Sequence, residues 1–252
     1  AYIDAAKQYV GKKMQNSVAE AISLAISNGE AELLKDNANG YVNVSTPLRT
    51  VVEDAEISIQ AYVDLANAIA KAEEKYGEGS MAGAEDFKAV IEKAKEINNN
   101  LDATLNEIAD VIISLEKAEF AYMLANPSGT VPTVKTDKRY ARGAIAAFGR
   151  MSMTGVASNN ILEQGFCWST SPNPTVMDNR TTKFLTNNGR IYVMDMEPAT
   201  VYYIRAYAIT NTFAVGYGEV IKMSTLPQGR VTYWYNNGGD ASHNQRINTA
   251  LT

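Results

Sequence analysis

The chain has 252 residues, of which 46% are hydrophobic and 20% are charged, with a net charge of −5. This composition is typical of a folded globular protein and excludes a disordered chain, and the length suffices for one or two domains with sizeable cores. The only cysteine, Cys167, excludes an intramolecular disulfide and a multi-cysteine zinc site, and the only histidine, His243, excludes a His-rich metal site. No stretch approaches the roughly 18 apolar residues that a membrane helix needs, and we expect any targeting peptide to have been removed.

Charge and proline are distributed unevenly along the chain. Residues 1–128 carry 11 Lys+Arg against 21 Asp+Glu, a net charge of −10, whereas 129–252 carry 12 against 7, a net charge of +5. Six of the seven prolines and both tryptophans lie from residue 127 onward. These shifts predict three segments: a helical bundle over 1–128, a β-sandwich over 129–226, and the start of a further, truncated domain over 227–252.

The first segment has helical periodicity. Apolar residues recur at steps of three and four from Ile3 to Ile26, which predicts one amphipathic helix over 1–28 with Asn28-Gly29 as its C-terminal cap. A short helix over 30–39 is expected to follow it.

Three longer helices complete the predicted acidic bundle. Ser45-Thr46-Pro47 predicts the N-terminus of a helix that ends near Tyr76, and another helix is predicted over 87–97. The capping-box sequence Thr104-Leu105-Asn106-Glu107 predicts the start of the last one.

The Leu/Ile-rich helices with paired alanines between Leu48 and Tyr122 resemble the FIVAR-type helical repeats of bacterial surface and secreted proteins. Such repeats serve as spacers or weak binding modules. The resemblance therefore implies that kind of role for the helical segment.

After Gly129, short β-rich segments separated by Asn, Gly, Pro and Ser clusters replace the helical pattern. This alternation predicts an antiparallel β-sandwich. The expected strands cover 132–136, 141–148, 161–169, 183–185, 190–196, 201–209 and 218–225.

The stretch Met196-Glu197-Pro198-Ala199-Thr200 leads into a strand whose side chains alternate between two faces. Period two places Tyr202 on one face, and Tyr203, Arg205 and Tyr207 on the other. The stretch resembles the corner before the sixth strand of fibronectin type III domains, although Met196 and Ala199 stand where Leu and Gly are usual. The resemblance implies that Tyr202 is buried and that its hydroxyl is bonded to backbone between residues 195 and 199.

A second motif, Gly165-Phe166-Cys167-Trp168-Ser169-Thr170-Ser171-Pro172-Asn173-Pro174-Thr175, adds to this similarity. With the corner and the later Gly216-Tyr217-Gly218-Glu219, it resembles the fibronectin type III-like repeat of exported and surface-anchored proteins of gut-dwelling anaerobic bacteria. The resemblance implies an extracytoplasmic location. We expect Phe166 and Trp168 to point into the core, with Cys167 on the opposite face of the strand.

Catalytic and cofactor signatures are not found in the sequence. A Ser-His-Asp triad would need His243, and no G-x-S-x-G nucleophile elbow exists. His243 is interpreted as a surface residue at a helix start, and Gly216-Tyr217-Gly218 as a hairpin-like turn. We expect no catalytic residue, no metal and no cofactor within these residues, and the sequence leaves open whether the full-length protein is an enzyme.

Two aromatic groups are candidate binding surfaces. Tyr203, Arg205 and Tyr207 are interpreted as an outward-facing platform, as ordinary cross-strand packing, or as a face covered by the helical bundle. Tyr233, Trp234 and Tyr235 are interpreted either as a sugar-stacking surface or as an inner strand of the truncated domain. The positive charge of 129–252 is dilute, so we expect no nucleic-acid partner.

The sequence as a whole predicts a non-catalytic spacer, adhesion or interaction module of a secreted or surface-anchored bacterial protein. Its expected partner is an extracellular protein or glycan, and the protein is expected to be membrane-anchored through a removed N-terminal lipid signal. Two alternatives stay open: an accessory N-terminal region of an exported glycan or peptide hydrolase, and a glycan-binding module.

Overall fold

The architecture comes from a computed structural model, which describes residues 1–35, 40–138, 140–181, 190–193 and 195–228. The chain divides into two compact units, Ala1–Ala125 and Asn126–Thr252. The first is helical and the second is an antiparallel β-sandwich, as the sequence predicts. Within the described part of the chain, no helix combines the length and apolar composition that a membrane crossing requires.

The helical unit contains five described helices. Their bounds are Tyr2–Lys7 for α1, Asn16–Leu33 for α2, Gly40–Tyr76 for α3, Ala84–Asn99 for α4 and Leu105–Ala125 for α5.

The prediction of a single helix over 1–28 is wrong, because the helix is interrupted between the end of α1 and the start of α2. Gly11 lies in this break with φ of +79°, a conformation that glycine adopts without steric cost. Helix α2 then continues past Asn28-Gly29 to Leu33. A Cβ on Gly29 would lie 3.1 Å from the side chains of Ile3 and Val44, so this glycine permits close helix packing and caps nothing.

The start predicted at Ser45-Thr46-Pro47 is also wrong, since α3 begins at Gly40 and contains Pro47. A proline inside a helix removes one backbone hydrogen bond. Burial of the neighbouring Leu48, only 1% exposed, helps to offset that cost. Of the separate helix predicted over 30–39, residues 30–33 belong to α2, and 36–39 lie outside the described residues.

Two hydrophobic clusters lie along α3, which is about 55 Å long at 1.5 Å per residue. The first cluster joins α1 and α2 to the first half of α3, and includes Ile22, Leu48 and Ala55. The second joins α4 and α5 to the second half, and includes Leu65 and Phe87. The unit is therefore two small bundles that share one continuous helix.

Polar groups connect the two bundles where their cores meet. The hydroxyl of Ser58 on α3, 1% exposed, accepts a hydrogen bond of 2.9 Å from the Gln15 backbone N–H. The Gln15 side chain donates to the carbonyl of Ala103 at 2.6 Å, and the Tyr62 hydroxyl donates to the carbonyl of Asn100 at 2.7 Å. These bonds satisfy buried polar groups that would otherwise be costly.

The capping box predicted at the start of α5 is confirmed. The Glu107 carboxylate accepts a hydrogen bond from the Thr104 backbone N–H at 2.8 Å, and the Thr104 hydroxyl accepts one from the Glu107 N–H at 3.2 Å. Both bonds satisfy backbone donors that the first helical turn leaves without partners.

The second unit contains nine described strands in two sheets. Their bounds are Thr133–Thr136 for β1, Ala141–Arg142 for β2, Ala147–Thr154 for β3, Ile161–Ser169 for β4, Asn179–Arg180 for β5, Arg190–Val193 for β6, Val201–Thr210 for β7, Val215–Tyr217 for β8 and Ile221–Ser224 for β9.

All described strand pairs are antiparallel. In the first sheet, β3 pairs with β1 and β2 and, on its other side, with β6. In the second, β4 lies between β5 and β7, and β7 also pairs with β8 and β9. This confirms a fibronectin type III/immunoglobulin-like sandwich.

Several strand predictions need correction. The strand predicted over 141–148 is two separate strands, because β2 ends at Arg142 and β3 runs from Ala147 to Thr154. Gly216-Tyr217-Gly218 is not a turn, because Gly216 and Tyr217 belong to β8 and pair with β7. The strand predicted over 183–185 lies outside the described residues.

The sandwich core lies between the two sheets. Phe166 and Trp168 from β4 pack there against Tyr202 and Ile204 from β7, as the alternation predicts. Cys167 lies on the opposite face of β4, also as predicted, but it is completely buried there.

The corner before β7 has the predicted geometry. The buried Tyr202 hydroxyl accepts a hydrogen bond of 3.0 Å from the backbone N–H of Glu197. Ala199 has φ of +50°, which explains why glycine is usual at this position of the corner.

We expect Tyr202→Phe to destabilise the sandwich by roughly 1–3 kcal/mol, because it leaves the Glu197 N–H without its acceptor. Tyr203→Phe, on the other face of β7, is the control and is expected to cost little. Urea denaturation of both variants measures the difference. Equal losses would show that the hydroxyl of Tyr202 is not the stabilising group.

Because each unit encloses its own hydrophobic clusters, we expect the segments 1–128 and 129–228 to fold when expressed separately. Circular dichroism and thermal unfolding of each segment would measure this. A segment that shows no cooperative transition, while the full chain does, would contradict the expectation.

Candidate functional site

The outer face of the second sheet carries the side chains that the sequence singles out. Tyr203, Arg205 and Tyr207 share this face, opposite the core set of β7. Residues 170–181 follow β4 and include β5, and we call them the β4–β5 cover. They contact this face at Pro174 and Thr181. The open-platform interpretation does not hold for Tyr207, which is fully buried beneath the cover.

Side chains of the sheet hold the β4–β5 cover through its backbone. The Arg205 Nε donates a hydrogen bond to the carbonyl of Pro174 at 2.5 Å. The Tyr217 hydroxyl accepts one from the Val176 N–H at 3.1 Å, and the Tyr207 hydroxyl lies 2.6 Å from the carbonyl of Thr181. Polar groups that were candidates for ligand binding thus satisfy backbone groups of the cover.

An ion pair lies beside this arrangement. Arg180 Nε is 2.9 Å from the Glu163 carboxylate, and Arg180 Nη1 donates to the carbonyl of Val176 at 2.8 Å. The Tyr207 hydroxyl also contacts the Glu163 carboxylate. Glu163 therefore links β4 to both β5 and β7.

Arg205 and Cys167, the other groups of interest on this face, are held in packed surroundings. The Arg205 guanidinium stacks on the Tyr217 ring, 3.8 Å from its centroid. Burial raises the pKa of the Cys167 thiol to about 11. A thiol with that pKa is protonated at neutral pH and is not a nucleophile in the folded protein.

Tyr203 lies at the edge of this arrangement. Its ring is half-buried, and the Lys222 ammonium on β9 is 5.7 Å from the ring centroid. The second aromatic candidate, Tyr233, Trp234 and Tyr235, lies outside the described residues.

Sequence reasoning missed the close approach of the β4–β5 cover, but Gly165 carries a signal for it. A Cβ on Gly165 would lie 2.0 Å from the Thr181 hydroxyl oxygen, so only glycine fits beneath the cover. A glycine inside a strand often marks such an approach.

A different site lies on the first sheet. An open groove of about 500 Å³ is lined by Lys135, Thr136, Asp137, Lys138, Arg150, Met151 and Ser152. Charge counts along the sequence did not reveal it, because Lys135 on β1, Lys138 after β1 and Arg150 on β3 meet only through the pairing of β1 with β3.

Among the described residues, no group of three or more His, Cys, Asp and Glu side chains is arranged to hold a metal ion.

No protein-family model matches the chain, and no curated protein matches it. Among solved structures, a fibronectin type III domain of human fibronectin type III domain containing protein 3 is similar at 13% identity and a TM-score of 0.31, covering 40% of this chain and 93% of that one. The sixth such domain from a human protein of that name matches at 19% identity and a TM-score of 0.30, over 40% and 91%. The N-terminal part of the bacterial S-layer protein SbsC matches at 14% identity and a TM-score of 0.25, over 92% and 57%. The fold assignment rests on the strand order and register given above.

We expect Tyr207→Phe to destabilise the sandwich by roughly 1–3 kcal/mol at neutral pH, since the Thr181 carbonyl loses its donor. Burial, with the Glu163 carboxylate adding to it, raises the pKa of Tyr207 above the roughly 10 of an unfolded tyrosine. Its stabilising contribution is therefore present below about pH 10 and is lost as the pH rises further.

Urea denaturation between pH 7 and pH 11 measures both effects. The wild-type chain is expected to lose stability above pH 10 more steeply than Tyr207→Phe, whereas Tyr203→Phe is expected to follow the wild type. Identical pH profiles for Tyr207→Phe and the wild type would contradict the assigned role of this hydroxyl.

Proposed function

We propose that these 252 residues form a non-catalytic spacer or interaction module of an exported bacterial protein. One observation carries the proposal. The most reactive side chains on the outer face of the second sheet are bound within the fold: Arg205 and Tyr207 bind the backbone of the β4–β5 cover, and Glu163 pairs with Arg180, which belongs to the cover. Those groups stabilise the fold, and their donors are not directed toward a substrate.

The two-unit organisation supports the spacer role. Each unit has its own hydrophobic clusters, so each supplies a separately folded element of a spacer. Continuous helix α3 adds about 55 Å of uninterrupted backbone to the first unit.

The alternative of glycan binding through Tyr203, Arg205 and Tyr207 has lost its support, because Tyr207 is buried and Arg205 is bonded to the cover. The accessory-hydrolase alternative depends on residues after 228, which are outside the described part of the chain.

Location outside the cytoplasm is the part of the proposal that a direct experiment tests. Intact cells of the source organism would be treated with a protease and probed with an antibody against residues 1–252. We expect the signal to disappear while a cytoplasmic control protein persists. A signal that survives on intact cells and disappears only after lysis would place the chain inside the cell and overturn the proposal.

A further inference from the structure

The groove on the first sheet combines three cations with hydrogen-bonding groups. Lys135, Lys138 and Arg150 line it, together with the Asp137 carboxylate and the Ser152 hydroxyl. Lys135 and Ser152 are directly opposite each other in the pairing of β1 with β3, on the face turned away from the core. Its volume of about 500 Å³ falls within the roughly 300–1,000 Å³ typical of small-ligand sites.

Carboxylates near the groove limit its positive charge without cancelling it. Glu219 accepts a hydrogen bond from the Thr136 N–H at 3.2 Å. Backbone hydrogen bonds, with Lys135 and Lys138 nearby, hold the pKa of Glu219 below its usual value, so it stays charged at neutral pH. Counting Asp137 and Glu219 against Lys135, Lys138 and Arg150 leaves one positive charge.

The mixture of groups selects one ligand chemistry. Arg and Lys bind carboxylates, with Arg able to bind them in a bidentate manner. A carboxylate such as Asp137 and a hydroxyl such as Ser152 accept hydrogen bonds from neutral hydroxyl donors. An acidic sugar is one class of ligand that carries both carboxylates and hydroxyls, whereas a nucleic acid would be better matched by a longer basic stripe with aromatic stacking.

We propose that this groove binds an acidic polysaccharide, with its carboxylates on Arg150 and Lys138 and its hydroxyls on Asp137 and Ser152. This inference rests on the proposed function, because it gives an extracellular module its ligand. Each groove holds a short stretch of the polymer, so single-site binding is weak and depends on salt.

Titration of the full chain with polygalacturonate oligomers, followed by amide chemical shifts in NMR, tests the proposal. Shifts are expected at Lys135, Arg150 and Ser152, and a rise in salt from about 50 to 300 mM should weaken the binding. The double variant Lys138→Gln/Arg150→Gln should weaken it at least tenfold. Lys222→Gln, on the other sheet, is the matched control and should stay within twofold of the wild type. Thermal unfolding confirms that each variant is folded.

Four further probes distinguish the ligand classes. Uncharged dextran should not bind, and polyglutamate, which has carboxylates without hydroxyls, should bind at least fivefold more weakly than polygalacturonate. Equal or tighter binding of polyglutamate, single-stranded DNA or anionic lipid vesicles would overturn the proposal. So would an absence of shifts with polygalacturonate, or equal weakening in Lys222→Gln. If these binding tests fail while the protease still removes the chain from intact cells, the groove inference is wrong and the surface assignment stands.

Discussion

Trp168→Ala is expected to destabilise the sandwich by about 3–5 kcal/mol, the range for removing a large aromatic side chain from a protein core. Trp168 is 7% exposed and packs from β4 into the cluster that includes Tyr202 and Ile204. Its removal takes away apolar burial and leaves a cavity that the two paired sheets cannot close without moving.

Chemical denaturation of the full chain, with near-ultraviolet circular dichroism as the probe of the sandwich, measures this loss. Leu162→Ala on the same strand is the control, since Leu162 is 51% exposed and is expected to cost less than about 0.5 kcal/mol. A loss below about 1 kcal/mol for Trp168→Ala would show that this residue is not a core residue.

Gly216→Ala is expected to destabilise the sandwich by about 3 kcal/mol, at the upper end of the usual cost of overpacking. A Cβ on Gly216 would lie 1.9 Å from the carbonyl oxygen of Pro132. Because that atom belongs to the backbone, no side-chain rotation relieves the clash. The start of β1 must then move away from β8.

The displacement should extend beyond the substituted residue. The Thr136 hydroxyl accepts a hydrogen bond from the Ala206 N–H at 3.0 Å, which connects β1 to β7. Hydrogen exchange at Ala206 should therefore accelerate in Gly216→Ala but not in the control Val215→Ala, on the neighbouring position of β8. Stability and exchange that match the wild type would mean that β1 and β8 are not in close contact.

Local sequence signals predicted those elements whose determinants lie within a few residues. Strand β4 has the predicted bounds, 161–169, and the Thr104–Glu107 capping box forms as expected. The helix breaks were missed for the opposite reason. The apolar periodicity from Ile3 to Ile26 passes through Gly11, whereas in the structure Gly11 adopts a positive φ and α1 and α2 pack separately on α3.

For the candidate site, too, the sequence predicted the local features but not the long-range contacts. Alternation along β7 correctly assigned Tyr203, Arg205 and Tyr207 to one face, because side-chain direction is a property of the strand. Whether a face is open depends on what else packs on it. Here the decisive contacts join residues 26 to 44 positions apart, such as Tyr207 with Thr181 and with Glu163, and no local pattern reports them.

Helix α3 is one continuous helix through both bundles of the helical unit. Its 37 residues pass from the first hydrophobic cluster to the second. Ser58 bonds it to Gln15, before α2, and Tyr62 bonds it to Asn100, after α4. A tensile load along its axis is therefore borne by successive backbone hydrogen bonds as well as by side-chain packing. Lengthening α3 along its axis therefore requires backbone hydrogen bonds to break, whereas the other four described helices are held on α3 by side-chain packing.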